Sequence, residues 1–145
     1  MLSNKKFIAM LGGGQLGLMF TQIAQKKGEK VLVLDPDSDC PAGKIADKFI
    51  NADYLDGEAL RTIVNNCEAC TTEFENIPFK KLEILEKKIK VYPCSEALKI
   101  SQNRILEKNF LKKINIPTTE YFEIKSKKEL DRLSNISNWP YIIKT

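Results

Sequence analysis

Residues 6–35 constrain the fold more tightly than any other part of the chain. The apolar run KFIAML (6–11) leads into LGGGQLGLM (11–19), which holds Gly12, Gly14 and Gly17 in the spacing G-x-G-x-x-G, and a second apolar run, KVLVLD (30–35), follows. Short, nearly continuous apolar runs suit strands covered on both faces. Between them Leu16, Phe20, Ile23 and Ala24 recur at helical spacing up to Gly28, a residue well placed to stop a helix. Strand, glycine turn, helix and strand make a βαβ unit, and a βαβ unit commits the two strands to parallel pairing.

The alternation continues. Asp56 can cap a helix carrying Leu60, Ile63 and Val64; ACTTEFE (69–75) reads as the next strand; Pro78 can open a helix bearing Leu82 and Leu85; and KVYP (90–93) reads as a short strand. The expected fold class is therefore α/β, a Rossmann-like parallel sheet with helices on both faces. Beyond Pro93, Ser95 and Ser101 can each cap a helical turn, and Leu106, Phe110 and Ile114 form an apolar stripe ended by Ile116-Pro117. EYFEI (120–124) then reads as a strand, Ser126 with Glu129 has capping-box spacing before Leu130 and Leu133, and YIIKT (141–145) opens another apolar strand. This organisation predicts a first domain over 1–95, connector helices over 96–117 and the start of a second, unfinished domain over 118–145.

Composition removes several function classes. The 145 residues include no histidine, which excludes a histidine general base, a Ser-His-Asp triad and histidine-ligated zinc. No apolar run approaches the ~20 residues of a membrane helix, and no signal sequence is evident, so a soluble, cytoplasmic protein is expected. The net charge of +4 comes mainly from lysine; pairs such as Lys26-Lys27, Lys80-Lys81 and Lys112-Lys113 read as solvated helix faces rather than a nucleic-acid surface. One C-x-x-C, Cys67 to Cys70, closes a helix instead of opening one and has no second pair, so reduced thiols are expected with Cys40 and Cys94.

Backbone N–H groups of a glycine turn at a helix N-terminus favour an anion without naming it. Asp35, at the end of the second strand, stands where a nicotinamide site puts its ribose carboxylate, so a dinucleotide remains one reading and tight helix–strand packing another. Glu73 and Glu75 would share a face if both lie on one strand, at the sheet edge where ligands collect; two carboxylates there could hold an amine or ribose hydroxyls. Arg104, in the connector, and Lys144, at the end of an apolar run, are candidate partners for nucleotide phosphates.

Taken in order and spacing, GGGQLGLM, VLDPDSDCPAGKIAD, TTEFENIP, SQNRILEKNFLKKINIPT and YIIKT resemble the N-terminal part of the 5-(carboxyamino)imidazole ribonucleotide synthase family, in the ATP-grasp superfamily. The resemblance implies a pre-ATP-grasp domain followed by the beginning of an ATP-grasp domain. It implies a carbon–nitrogen ligase of purine biosynthesis in which ATP, with Mg2+, phosphorylates bicarbonate so that aminoimidazole ribonucleotide is carboxylated, and it implies a homodimer. Carried over, Gln15 and Leu16 lie at the substrate with backbone amides near its 5'-phosphate, Glu73 contacts substrate, and Arg104 and Lys144 contact ATP. The family usually has Arg at the position of Leu18 and Asp at that of Asn103. Its metal ligands and catalytic residues fall beyond Thr145, so these 145 residues alone are expected to be inactive. Another pre-ATP-grasp ligase is the alternative within the superfamily, and a nicotinamide-binding Rossmann domain the alternative outside it.

Overall fold

The computed structural model describes residues 6–136, 140 and 142–144. The chain divides into two compact units, residues 1–102 and 103–145. The described part of the first unit is built on a parallel sheet of β1 (Phe7–Leu11), β2 (Lys30–Asp35), β3 (Lys48–Asn51), β4 (Cys67–Thr72) and β5 (Lys90–Tyr92), in the order β3-β2-β1-β4-β5. β1 lies between β2 and β4, so the strand order reverses at the strand that feeds the glycine turn. This is where open α/β sheets leave a crevice at the carboxyl edge.

The period of two along each strand separates two cores. Ala9 and Leu11 of β1 and Leu32 and Leu34 of β2 face α2 (Gly57–Asn66) and α3 (Phe79–Glu86), whose Ala59, Leu60, Ile63, Leu82 and Leu85 are buried there, with Leu98 of α4 (Ser95–Ser101). Met10, Val31 and Val33 face the other way, against Ala24 of α1 (Gln15–Lys26) and Cys40 and Ala42 of the long β2–β3 connection. Helices thus cover both faces, as expected from the sequence. Asp56 caps α2 through its carboxylate, which accepts from the amides of Glu58 and Ala59 at 2.9 and 2.7 Å. Gly28, at φ +78°, follows the end of α1.

β3 escaped the sequence reading because a four-residue edge strand carries little periodic signal. β4 ends at Thr72, so Glu73 and Glu75 do not share a strand face. Pro78 is the N-cap of α3 rather than its first residue. Ser95 does not cap α4: its amide and hydroxyl donate to the Glu86 carboxylate on α3. Ser101 is the last residue of α4, and the next helix is capped by Asn103. On α1 the buried positions are Gly17, Thr21 and Ala24, whereas Leu16 and Ile23 are 58% and 53% exposed. Small residues win that face because they let the helix approach the sheet closely. The Thr21 hydroxyl is satisfied by donating to the Gly17 carbonyl at 2.8 Å.

The DPDSDCPAGKIAD segment fastens this layer. Asp47 accepts from the Val31 amide at 2.9 Å and the Gln25 side-chain amide at 3.0 Å. Burial opposes its charge, but these bonds hold its carboxyl below the usual aspartate range.

In the second unit, α5 (Arg104–Lys113) is capped by Asn103, whose side-chain oxygen accepts from the amides of Ile105 and Leu106, both at 3.0 Å. An aspartate would cap equally well. Its Leu106, Phe110 and Ile114 stripe is exposed. EYFEI is not a strand: it pairs with no backbone among the described residues, and Tyr121 instead donates to the Asn109 side chain on α5 at 2.8 Å. At the start of α6 (Lys127–Ile136), the Glu129 amide donates to the Ser126 hydroxyl at 3.3 Å and the Glu129 carboxylate accepts from the Lys125 amide at 2.7 Å. Of YIIKT, residues 142–144 lie in no strand, and 141 and 145 fall outside the described residues. No helix among the described residues is long and apolar enough to cross a membrane.

Candidate functional site

The turn after β1 begins with Gly12 at φ +107°, a conformation that side chains resist, and its amide continues the ladder by donating to the Leu34 carbonyl at 3.0 Å. On the other side the Glu73 amide donates to the Leu11 carbonyl at 2.8 Å, which sets Glu73 directly beside the turn. Its carboxylate then accepts from the Gly14 amide at 2.7 Å and the Leu16 amide at 3.0 Å. Gly14 is the N-cap of α1 and has no side chain to cap with, so the cap arrives from Glu73, the residue after β4. A carboxylate at that end also complements the helix dipole.

This arrangement accounts for the glycine spacing. A Cβ on Gly12 would stand 2.5 Å from the Glu73 Cβ, one on Gly14 would stand 2.6 Å from Glu73 Oε1, and one on Gly17 would stand 2.3 Å from the Gly12 carbonyl oxygen. The three fingerprint glycines therefore surround an internal carboxylate. A phosphate entering the turn competes with Glu73 for the Gly14 and Leu16 amides.

Asp35, 8% exposed, is similarly engaged. It accepts from the Gly13 amide at 2.6 Å, the Asp37 amide at 2.8 Å and the Tyr54 hydroxyl at 2.9 Å. Burial, followed by the hydrogen bond to Asp35, pushes the Tyr54 phenol well above its usual range, so it stays a donor. The Tyr54 ring meets Phe74 edge-on, with centroids 6.1 Å apart, which ties the Asp35 side of the turn to the Glu73 side. Asp35 braces the turn, where a nicotinamide site would instead offer it to a ribose. Nothing in the sequence marks Tyr54 and Phe74 as part of the site, since an aromatic near a strand end reads as core.

Gln15, the first residue of α1, is exposed beside Leu16, while Leu18 is half-buried against the core around Met10 and Val31. Glu75 is exposed. In the second unit, Arg104 opens α5 and pairs with Glu107 at 2.8 Å, and Lys144 is exposed. The Arg104 hydrogen bond holds the Glu107 carboxyl below its usual range. Among the described residues no group of three or more His, Cys, Asp and Glu side chains could hold a metal ion.

The cysteines do not form a redox pair. All four are free thiols, and Cys40, Cys67 and Cys70 are buried while Cys94 is exposed. Burial pushes the Cys67 thiol up to about 12 and raises Cys40 and Cys70 as well. A disulfide-exchange reagent is expected to label one thiol quickly in the native protein and all four after denaturation; fast labelling of two or more native thiols would contradict the burial.

The profile of the ribonucleotide synthetase preATP-grasp domain matches residues 5–102. The chain belongs to this family. Among curated pre-ATP-grasp relatives, the N5-carboxyaminoimidazole ribonucleotide synthase of Staphylococcus aureus strain MRSA252 is 39% identical over 138 residues, covering 95% of this chain and 37% of that protein. The crystal structure of the Staphylococcus aureus synthetase complexed with ADP superposes with a TM-score of 0.84 at 38% identity, over 90% of this chain and 35% of that one. The Aspergillus clavatus synthase in complex with ADP and 5-aminoimidazole ribonucleotide gives 0.81 at 30% identity, over 91% and 36%. The pre-ATP-grasp chain thus spans 37% of the length of these curated relatives, corresponding to their N-terminal portion.

Proposed function

We propose that the first unit holds aminoimidazole ribonucleotide for an ATP-dependent carbon–nitrogen ligase that carboxylates its exocyclic amine with bicarbonate. The observation that carries this reading is the Glu73 carboxylate seated in the glycine turn at the sheet's switch point, in a chain similar to a synthase whose solved complex contains ADP and that ribonucleotide. Each Glu73 oxygen receives one amide hydrogen bond and keeps acceptor capacity, so the carboxylate suits neutral donors such as ribose hydroxyls. Gln15 and Leu16, on the same turn, then border the 5'-phosphate, with Leu16 contributing its position rather than an unengaged amide.

ATP is assigned to the second unit, near Arg104 and Lys144, where guanidinium and ammonium groups can neutralise phosphate charge. Residues 118–145 then begin the ATP-grasp domain. Bicarbonate is a poor electrophile until one of its oxygens becomes a phosphate leaving group, which is the step ATP supplies. Magnesium, bicarbonate, a cytoplasmic location and a homodimer belong to the reading through the family alone. Because the chain spans 37% of its relatives, turnover is assigned to the whole protein and binding to this part.

Calorimetric titration checks the assignment. Aminoimidazole ribonucleotide is expected to bind and NADH to give no heat; NADH binding with no response to the ribonucleotide or ATP would overturn it.

A further inference from the structure

The segment after Glu73 leaves the sheet without entering a helix until Phe79, so its carbonyls have no ladder to accept from, and Pro78 has no amide to contribute. Two of those carbonyls are met by one side chain. The Gln102 amide nitrogen donates to the carbonyl of Glu75 and, at 2.7 Å, to that of Ile77. Its two hydrogens match these two acceptors.

Gln102 is itself held firmly. Its backbone amide donates to the Leu98 carbonyl at 2.8 Å, Leu98 is 3% exposed in the core, and α4 is tied to α3 by Ser95 and Glu86. At the other end, Ile77 is fully buried and Phe74 packs on Tyr54. The path from Gln102 to Glu73 is short, since the Glu75 carbonyl lies two residues beyond the carboxylate that fills the turn. Gln102 is also exposed, so packing alone does not require a glutamine there.

We propose that Gln102 is a positioning residue for substrate, bracing residues 73–77 so that the Glu73 carboxylate is held against the Gly14 and Leu16 amides. The inference rests on the functional reading above, in which Glu73 contacts the ribonucleotide. Gln102→Glu keeps the shape but turns both donors into acceptors facing carbonyls; Gln102→Ala removes the brace; Gln102→Lys restores a donor.

Two measurements on the protein separate this inference from the reading it rests on. Amide hydrogen exchange needs no ligand: the Gln102→Glu and Gln102→Ala variants are expected to exchange faster over residues 73–77, with the strands unchanged as a check on folding. In titrations with aminoimidazole ribonucleotide, the same variants are expected to lose about tenfold in affinity, with Gln102→Lys recovering most of it. Unchanged exchange over 73–77, or faster exchange with unaltered affinity, overturns the inference. If the unsubstituted protein binds no ribonucleotide, the functional reading fails and the substrate role of Gln102 fails with it, whatever the exchange result.

Discussion

Gly17→Ala is expected to destabilise the first unit by about 3 kcal/mol, although the same change in an open helix interior stabilises by about 1 kcal/mol. The sign reverses because the added Cβ would lie 2.3 Å from the Gly12 carbonyl oxygen and 3.1 Å from its carbon. Both atoms are backbone, at the point where the chain leaves β1, so relief requires α1 to lift from the turn. Lifting α1 also withdraws the Gly14 and Leu16 amides from Glu73. Gly57→Ala is the control: nothing lies within 4 Å of its added Cβ, and it is expected to be neutral or slightly stabilising. Urea unfolding midpoints measure both, and a Gly17→Ala variant as stable as the parent would show that the turn is not closed against the helix.

Glu73→Ala is expected to remove the cap of α1 together with the acceptor proposed to face the ribonucleotide. Two charge-assisted hydrogen bonds to partly accessible amides correspond to about 2 kcal/mol of stability, and ribonucleotide affinity is expected to fall by roughly a hundredfold. Glu73→Gln should fall between, because one of its terminal atoms still accepts while the other brings a hydrogen against an N–H. The variant also has an expected gain. With the internal carboxylate gone, the helix N-terminus is open to an anion, so inorganic phosphate should bind Glu73→Ala better than the parent. Equal ribonucleotide affinity in parent and Glu73→Ala would remove Glu73 from the binding site.

How much was legible in sequence depended on whether a signal was local. The β1–α1–β2 unit was readable because apolar runs, glycine turn and helix all fall within one stretch of chain. Asp56 was readable as a cap because its acceptor bonds amides two and three residues away. EYFEI has the alternation of a strand, but a strand is made by a partner, and the described residues provide none. On α1 the larger apolar residues suggested one buried face, yet closeness to the sheet selected Gly17, Thr21 and Ala24. Hydrophobicity reports what gains from burial; it does not report how near two elements must come.

The site divides along the same line. Sequence by itself determined a parallel α/β sheet, a glycine turn opening a helix at the sheet's carboxyl edge, and Glu73 and Asp35 as carboxylates near strand ends. Only the tertiary structure decided what those glycines enclose. Residues 59 apart in the chain meet because β1 and β4 pair in parallel, and the anion at the helix N-terminus is the protein's own Glu73. Asp35 is likewise engaged by Gly13, Asp37 and Tyr54, and Gln102 reaches carbonyls 27 and 25 residues away. A spacing pattern encodes the backbone conformation of a turn, which is local; which charge occupies it depends on the strand order.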